Sequence, residues 1–351
     1  MNAAALTPTR SPARERYYQR IGRQHLTPLW EVLHALVPPA PNTPMQAALW
    51  RYRETRAAVL EAGELISAEE AERRVLILEN PGAPGQSRIT QTLYAGLQLI
   101  LPGEVAPAHR HAQTALRLVL EGEGAYTAVD GERRTMRRGD FIITPSWTWH
   151  DHGNEGREPV VWLDGLDIPL LQSLGVGFAE KAARGVQSEL RAEGDALARY
   201  GHNLVPMDTP AAPAAPTPLW VYPYSATRAA LDGVAQGRPD AHFGHRLRYV
   251  NPATGTWPMP TMGTYVSALP AGFETLPCRS TDATVFTCLE GEGSADIEGQ
   301  PFAFEPNDVF IVPTWQRLRL QARRDCVLFG YSDRPVQQAL GLWREEKLER
   351  A

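Results

Sequence analysis

Short apolar runs separated by glycine, asparagine or aspartate recur through most of the chain, and within them apolar and polar residues often alternate. Alternation puts every second side chain on one face of a strand, so these runs predict an antiparallel barrel or sandwich. The plainest hairpin is 125–129 joined to 132–136 through Asp130-Gly131, a pair suited to the positive φ angles of a tight turn. Helical spacing is confined to the flanks. Leu49, Tyr52, Ala57, Val59 and Leu60 predict an amphipathic helix over 45–62. Ser67 and Glu70 form a capping box that opens a short helix before a strand over 74–78. Residues 337–349 read as a surface helix, and 209–218, almost all proline, alanine and threonine, as a semi-rigid connector.

The second half of the chain repeats the first. Leu120-Glu121-Gly122-Glu123-Gly124 returns as Leu289-Glu290-Gly291-Glu292-Gly293, and the block Gly139 to Pro145 returns as Asn307 to Pro313, with Trp147 matched by Trp315. Two matched blocks at nearly one offset predict two copies of one barrel. The copies differ in chemistry: setting Gly103 on Gly272 places His109 on Cys278 and His111 on Ser280, while His150 falls on Leu318.

In the first copy, His109 and His111 share a strand face while Arg110 points away, and the second glycine-bounded block delivers His150 from a nearby strand. Three imidazoles grip one metal ion and leave coordination positions open for substrate and oxygen. Such ligands suit zinc, iron, nickel or copper, so they do not name the metal. Carrying the parity onward turns Gln113, Ala115, Arg117 and Val119 inward, with Leu116, Leu118 and Leu120 packing outward. An inward arginine needs an anion, which makes Arg117 a candidate clamp for a substrate carboxylate; the alternative is an ion pair with Glu121, Glu123 or another buried acid. His152 shares the face of His150, as an acid or base near the metal or as a supporting hydrogen-bond partner. Asp151 and Asn154 read as turn-shaping residues. Asp164, an acid in an apolar strand, calls for an inward histidine or arginine.

A chain of 351 residues accommodates two domains. Net charge of -5 gives no reason to expect nucleic acid as a partner. The chain has no apolar run of membrane-spanning length and no apolar secretion signal at its start, which predicts a cytoplasmic protein. Three unpaired cysteines, Cys278, Cys288 and Cys326, suit a reducing compartment. Leu29, Trp30, Val32, Leu33 and Leu36 read as packing residues that cover a barrel or a neighbouring subunit.

The stretches Ala71 to Leu76, Glu79 to Gly82, Gly96 to Glu104, His109-Arg110-His111 and Asp140 to Asn154 resemble the cupin superfamily. Within it the chain is similar to the gentisate 1,2-dioxygenase family of bicupins, which includes salicylate and 1-hydroxy-2-naphthoate dioxygenases. The resemblance implies an all-β-dominated bicupin: two antiparallel β-barrels of the jelly-roll type, with a helical N-terminal arm and connecting helices. The expected layout is an arm over 1–70, a metal-binding barrel over 71–178, a helical and Pro/Ala-rich connector over 179–243, a second barrel without ligands over 244–335, and a C-terminal helix over 336–351. It further implies one Fe(II) per chain on His109, His111 and His150. Arg73, Gln98, Arg117 and His152 would contact substrate, with Asp164 supporting them. Where many relatives of this barrel place a glutamate ligand the chain has Ala115, so the ion keeps its full charge and favours a substrate that brings its own. The expected reaction opens gentisate with dioxygen to maleylpyruvate, in a homotetramer serving aromatic compound catabolism. Salicylate or hydroxynaphthoate cleavage, a metal-dependent isomerase and a non-catalytic aromatic-acid-binding bicupin are the alternatives.

Overall fold

The computed structural model describes residues 11–209 and 216–349, so the middle of the Pro/Ala-rich connector lies outside the described residues. The chain divides into two compact units, Met1–Asn42 and Thr43–Ala351. In the first, the helix Pro12–Gly22 starts at Ser11, whose side chain accepts the Arg14 N–H, and has proline in its first turn, where the missing N–H costs nothing. The helix Leu29–Leu36 is joined to it through Glu31, which accepts from Arg14 at 2.5 Å and from the Tyr18 hydroxyl at 2.6 Å. Leu29, Trp30, Leu33 and Leu36 remain exposed in the single chain.

The second unit holds both barrels. Each consists of a six-stranded and a five-stranded sheet, with the same strand order in both copies. The first barrel's larger sheet runs Val221–Tyr222, Phe141–Thr144, Ala115–Glu121, Val160–Leu166, Tyr94–Ile100, Val75–Ile77. Its smaller sheet runs Ala179–Lys181, Val105–His111, His150–Asn154, Ala125–Val129, Glu132–Thr135. The hairpin at Asp130-Gly131 forms as the sequence predicts, with φ of 47° and 76°.

Three sequence expectations need correction. Residues 45–62 are not one helix: Ala48–Trp50 is a strand on Val309–Val312 of the second barrel, and the helix is Tyr52–Leu65. The C-terminal segment is not a helix throughout, because after Arg334–Ala339 the chain extends and Glu345–Lys347 pairs with Cys278–Ser280. The segment 179–243 is more than a connector, since Ala179–Lys181 and Val221–Tyr222 are strands of the first barrel. In each case backbone N–H and C=O groups at a sheet edge gain partners from a distant segment.

The repeated sequence blocks are joints between the barrels. The Asp140 carboxylate accepts the Tyr224 N–H at 2.9 Å and so caps the helix Tyr224–Val234, while Asp308 does the same for Tyr52 at 2.7 Å and the helix Tyr52–Leu65. The repeated glutamates receive the same helices: Tyr52 and Arg56 donate to Glu121, Tyr224 and Arg228 to Glu290. Gly122 and Gly291 have φ of 89° and 77° and leave no room for a Cβ beside the backbone at 159–160 and 325–326, which explains the glycine in both copies. The outward Leu116, Leu118 and Leu120 enter a core that also contains Val266, Phe329 and Tyr331 of the second barrel. The Tyr331 hydroxyl crosses to the Tyr94 carbonyl at 3.0 Å.

A buried acid, Asp333, sits where the barrels meet. Asp333 accepts from Ala283 N at 3.2 Å and from Thr92 Oγ1 at 2.9 Å, and burial pushes it up to about 6. The folded chain therefore keeps a proton that the unfolded chain releases above its ordinary value of 3.8. That preference favours folding at low pH and is lost as pH rises toward 6. Asp333→Asn, followed by urea unfolding, is expected to destabilise more at pH 4 than at pH 7, with the gap narrowing by roughly 2–3 kcal/mol. A gap independent of pH would contradict this.

Candidate metal centre

The paired strands Val105–His111 and His150–Asn154 place His109 directly across from His150. His111 lies one inward position further along, as strand parity requires. The ring centroids are 4.2 Å apart for His109 and His150, 4.7 Å for His111 and His150, and 5.2 Å for His109 and His111. One ligand nitrogen from each lies within 4.8 Å of the others, close enough to hold one metal ion.

Backbone carbonyls orient these rings. His111 Nδ1 sits 2.8 Å from Gln113 O and His150 Nδ1 3.0 Å from Thr148 O, so each carries its proton at Nδ1 and presents the Nε2 lone pair to the centre. Among the described residues His150 Nε2 is buried without a partner, an orphan that a metal ion would satisfy. His109 Nδ1 is 3.3 Å from Pro107 O, and Arg73 Nη2 donates to the same carbonyl at 2.6 Å while lying against the ring. The Arg73 guanidinium can only donate and lies against His109 Nδ1 itself, so this nitrogen, unlike those of His111 and His150, faces both a donor and a carbonyl. Burial lowers His109 to about 3 and His111 to about 4, and depresses His150 strongly, with Arg73 or Arg117 adding repulsion. All three are neutral at pH 7, the form that binds metal.

The inward arginine meets an acid, though neither of the glutamates weighed from the sequence. Arg117, buried on Ala115–Glu121, lies 3.5 Å from Asp164 and donates to Thr144 Oγ1 at 2.5 Å. Glu121 is engaged by Arg56 and Tyr52. Asp164 also accepts the Trp162 indole N–H at 3.0 Å; burial raises it to about 6 although Arg117 pulls it down. The pair places a guanidinium on the inward face beside the histidines, with two nearby acceptors holding it.

His152 is wholly buried, its ring 5.8 Å from His150 and 5.7 Å from Trp162, and among the described residues neither ring nitrogen has a hydrogen-bond partner. Burial holds it neutral, so it offers one N–H and one lone pair to whatever enters. Arg73 reaches the centre through its contact with His109, and burial lowers it to about 10. Its neighbour Arg74 turns the other way into a two-point ion pair with Glu104. Gln98 is buried opposite Trp162, on the face that Asp164 occupies, and among the described residues no hydrogen bond joins it to Arg117 or the histidines. Asn154 shapes the turn as expected, bonded to Gly156 N, Ile100 O and Glu158 O. Asp151 has a different role: it accepts from Gln187 N and Nε2 and pins the segment after the barrel across its sheet. Sequence reasoning missed Trp162 and Thr144. Trp162 carried a usable signal, its place two residues before Asp164 on one strand.

The second copy retains this pairing without the chemistry. Cys278 pairs with Leu318 as His109 does with His150, and Phe286 pairs with Gly330 as Arg117 does with Asp164. Burial raises the Cys278 thiol to about 11, away from the thiolate that binds metal.

Comparison with known proteins agrees with this geometry. The family described as "Cupin domain" matches residues 96–166. Gentisate 1,2 dioxygenase 1 of Aquipseudomonas alcaligenes is 47% identical over 341 residues, covering 97% of this chain and 98% of its own. The chain belongs to the gentisate 1,2-dioxygenase family. A second member of that family, the gentisate 1,2-dioxygenase of a Streptomyces species, is 40% identical and covers 92% of each chain. The crystal structure of salicylate 1,2-dioxygenase from Pseudoaminobacter salicylatoxidans as an adduct with gentisate superposes with a TM-score of 0.92 at 34% identity, covering 99% of this chain and 98% of that one. Family membership thus extends over both barrels, including the copy without ligands.

Proposed function

We propose that this protein cleaves the ring of gentisate (2,5-dihydroxybenzoate), breaking the bond between the carboxyl-bearing and adjacent hydroxyl-bearing carbons and leaving one atom of dioxygen on each to give maleylpyruvate. The observation that carries the reading is a set of three neutral imidazoles converging beside a buried guanidinium. His109, His111 and His150 would hold one Fe(II), which supplies the redox chemistry between ring and dioxygen that no protein side chain provides.

The chain's own residues bind and orient the substrate. Arg117 offers its guanidinium to the substrate carboxylate while Asp164 and Thr144 hold it from behind. His152 accepts a proton from a ring hydroxyl at its free nitrogen and can return it, with Trp162 closing its far side against water. Arg73 places a second positive charge at the His109 edge, which favours an anionic ligand over a neutral phenol. We further propose a cytoplasmic homotetramer; the exposed apolar row Leu29, Trp30, Leu33 and Leu36 supports a contact between subunits.

Metal-free protein loaded anaerobically with Fe(II), then given gentisate and oxygen, is expected to consume one O2 per gentisate and form a ring-opened chromophore. Tight binding of gentisate without oxygen uptake would contradict catalysis. Because the salicylate enzyme superposes so fully, salicylate and 1-hydroxy-2-naphthoate belong in the same assay, and a higher kcat/KM on either would reassign the substrate.

A further inference from the structure

The junction between the barrels contains one hydrogen-bonded construction twice. Asp167 Oδ1 accepts the Thr114 N–H at 3.0 Å, and its Oδ2 accepts the hydroxyl of Thr261, from the second barrel, at 2.6 Å. In the other copy Asp333 accepts the Ala283 N–H at 3.2 Å and the hydroxyl of Thr92, from the first barrel, at 2.9 Å. Each barrel therefore reaches across to orient an aspartate of its partner barrel.

What the two aspartates hold differs. The Thr114 N–H and the Gln113 carbonyl belong to one peptide group, which is planar, so fixing the N–H fixes the direction of the carbonyl. That carbonyl holds His111 Nδ1 at 2.8 Å. The same segment is secured by Ala112 N to Phe178 O at 2.9 Å and by Ser146 Oγ to Ala112 O at 2.6 Å, neither of which acts on the 113–114 peptide itself. In the second copy the corresponding segment follows Ser280, and among the described residues no imidazole is bonded to its 282–283 peptide.

We propose that the second barrel, which lacks ligands of its own, positions the metal centre of the first: Thr261 orients Asp167, Asp167 sets the 113–114 peptide, and that peptide aims His111 Nε2 at the ion. Asp167 and Thr261 are positioning residues. The inference rests on the three-histidine metal reading, and the Thr92–Asp333 pair supplies a control with the same two bonds, one more from Gln337 Nε2 at 3.2 Å, and no metal ligand.

The test compares Thr261→Val with Thr92→Val, and with Thr261→Ser, which keeps the hydroxyl. Protein loaded with Co(II) is challenged with excess EDTA while the cobalt absorption spectrum is followed, and urea unfolding is measured alongside. Both valine variants are expected to lose similar stability. Only Thr261→Val should release cobalt about 10-fold faster and shift the cobalt bands, with the serine variant returning both to wild-type values. Equal release rates in the two valine variants, or a Thr261→Val rate equal to wild type, would overturn the proposal while leaving the metal reading intact. Failure of wild-type protein to take up Co(II) or Fe(II) would overturn both. If Thr261→Val does not fold, Asp167→Asn against Asp333→Asn makes the same comparison with the same outcomes.

Discussion

Replacing His111 by alanine is expected to reduce iron retention by more than about 100-fold and gentisate consumption to background, because two imidazoles cannot hold the ion against solvent and buffer. The fold should survive the change. His111 is half-buried, and its backbone carbonyl remains available to accept the Trp147 N–H, so the strand and the turn before His150 keep their bonds. Metal analysis after desalting, with circular dichroism as the check on folding, reads the result. Full turnover by the variant would reject the assignment of His111 as a ligand.

Arg117→Met is expected to act on two levels. It leaves Asp164 buried without its guanidinium, and breaking a buried pair from one side costs about 3–5 kcal/mol of stability. It also removes the carboxylate anchor, so KM for gentisate should rise about 100-fold, since truncating one side of a buried charge pair costs roughly 2–5 kcal/mol in binding. Adding Asp164→Asn separates the two effects. The double variant should regain most of the stability because the stranded acid is gone, while KM stays high. Recovery of both quantities together would mean that Arg117 is a structural ion-pair residue and does not touch substrate.

The site was more legible than its surroundings. His109, His111 and His150 follow from strand parity and the glycine-bounded blocks, because period-two alternation fixes which side chains share a face; Arg117 lies inward too, but not by that parity, since the chain leaves Val105–His111 in the smaller sheet and restarts as Ala115–Glu121 in the larger. The Asp-Gly hairpin was equally local. The short edge strands were not: Ala48–Trp50 and Glu345–Lys347 span three residues each, too few for a period to show, and their form is set by partners far away in sequence. Leu49 and Tyr52 fit a helical spacing only because a strand and a helix happen to adjoin at Arg51. Asp151 and Asp167 were opaque for a related reason. Their partners, Gln187 and Thr261, come from segments that only the tertiary fold brings near. The repeat, by contrast, pointed to the second barrel from sequence alone, and its Cys278, Ser280 and Leu318 stand where the first barrel has the three histidines.

In the proposed enzyme three imidazoles of the first barrel share one iron. Crystals grown with Fe(II) under anaerobic conditions, measured on both sides of the iron absorption edge, test it most directly. One anomalous peak per chain is expected, about 2.1 Å from Nε2 of His109, His111 and His150, and none in the second barrel. A peak bonded to other residues, or iron-competent crystals with no peak between these rings, would contradict it.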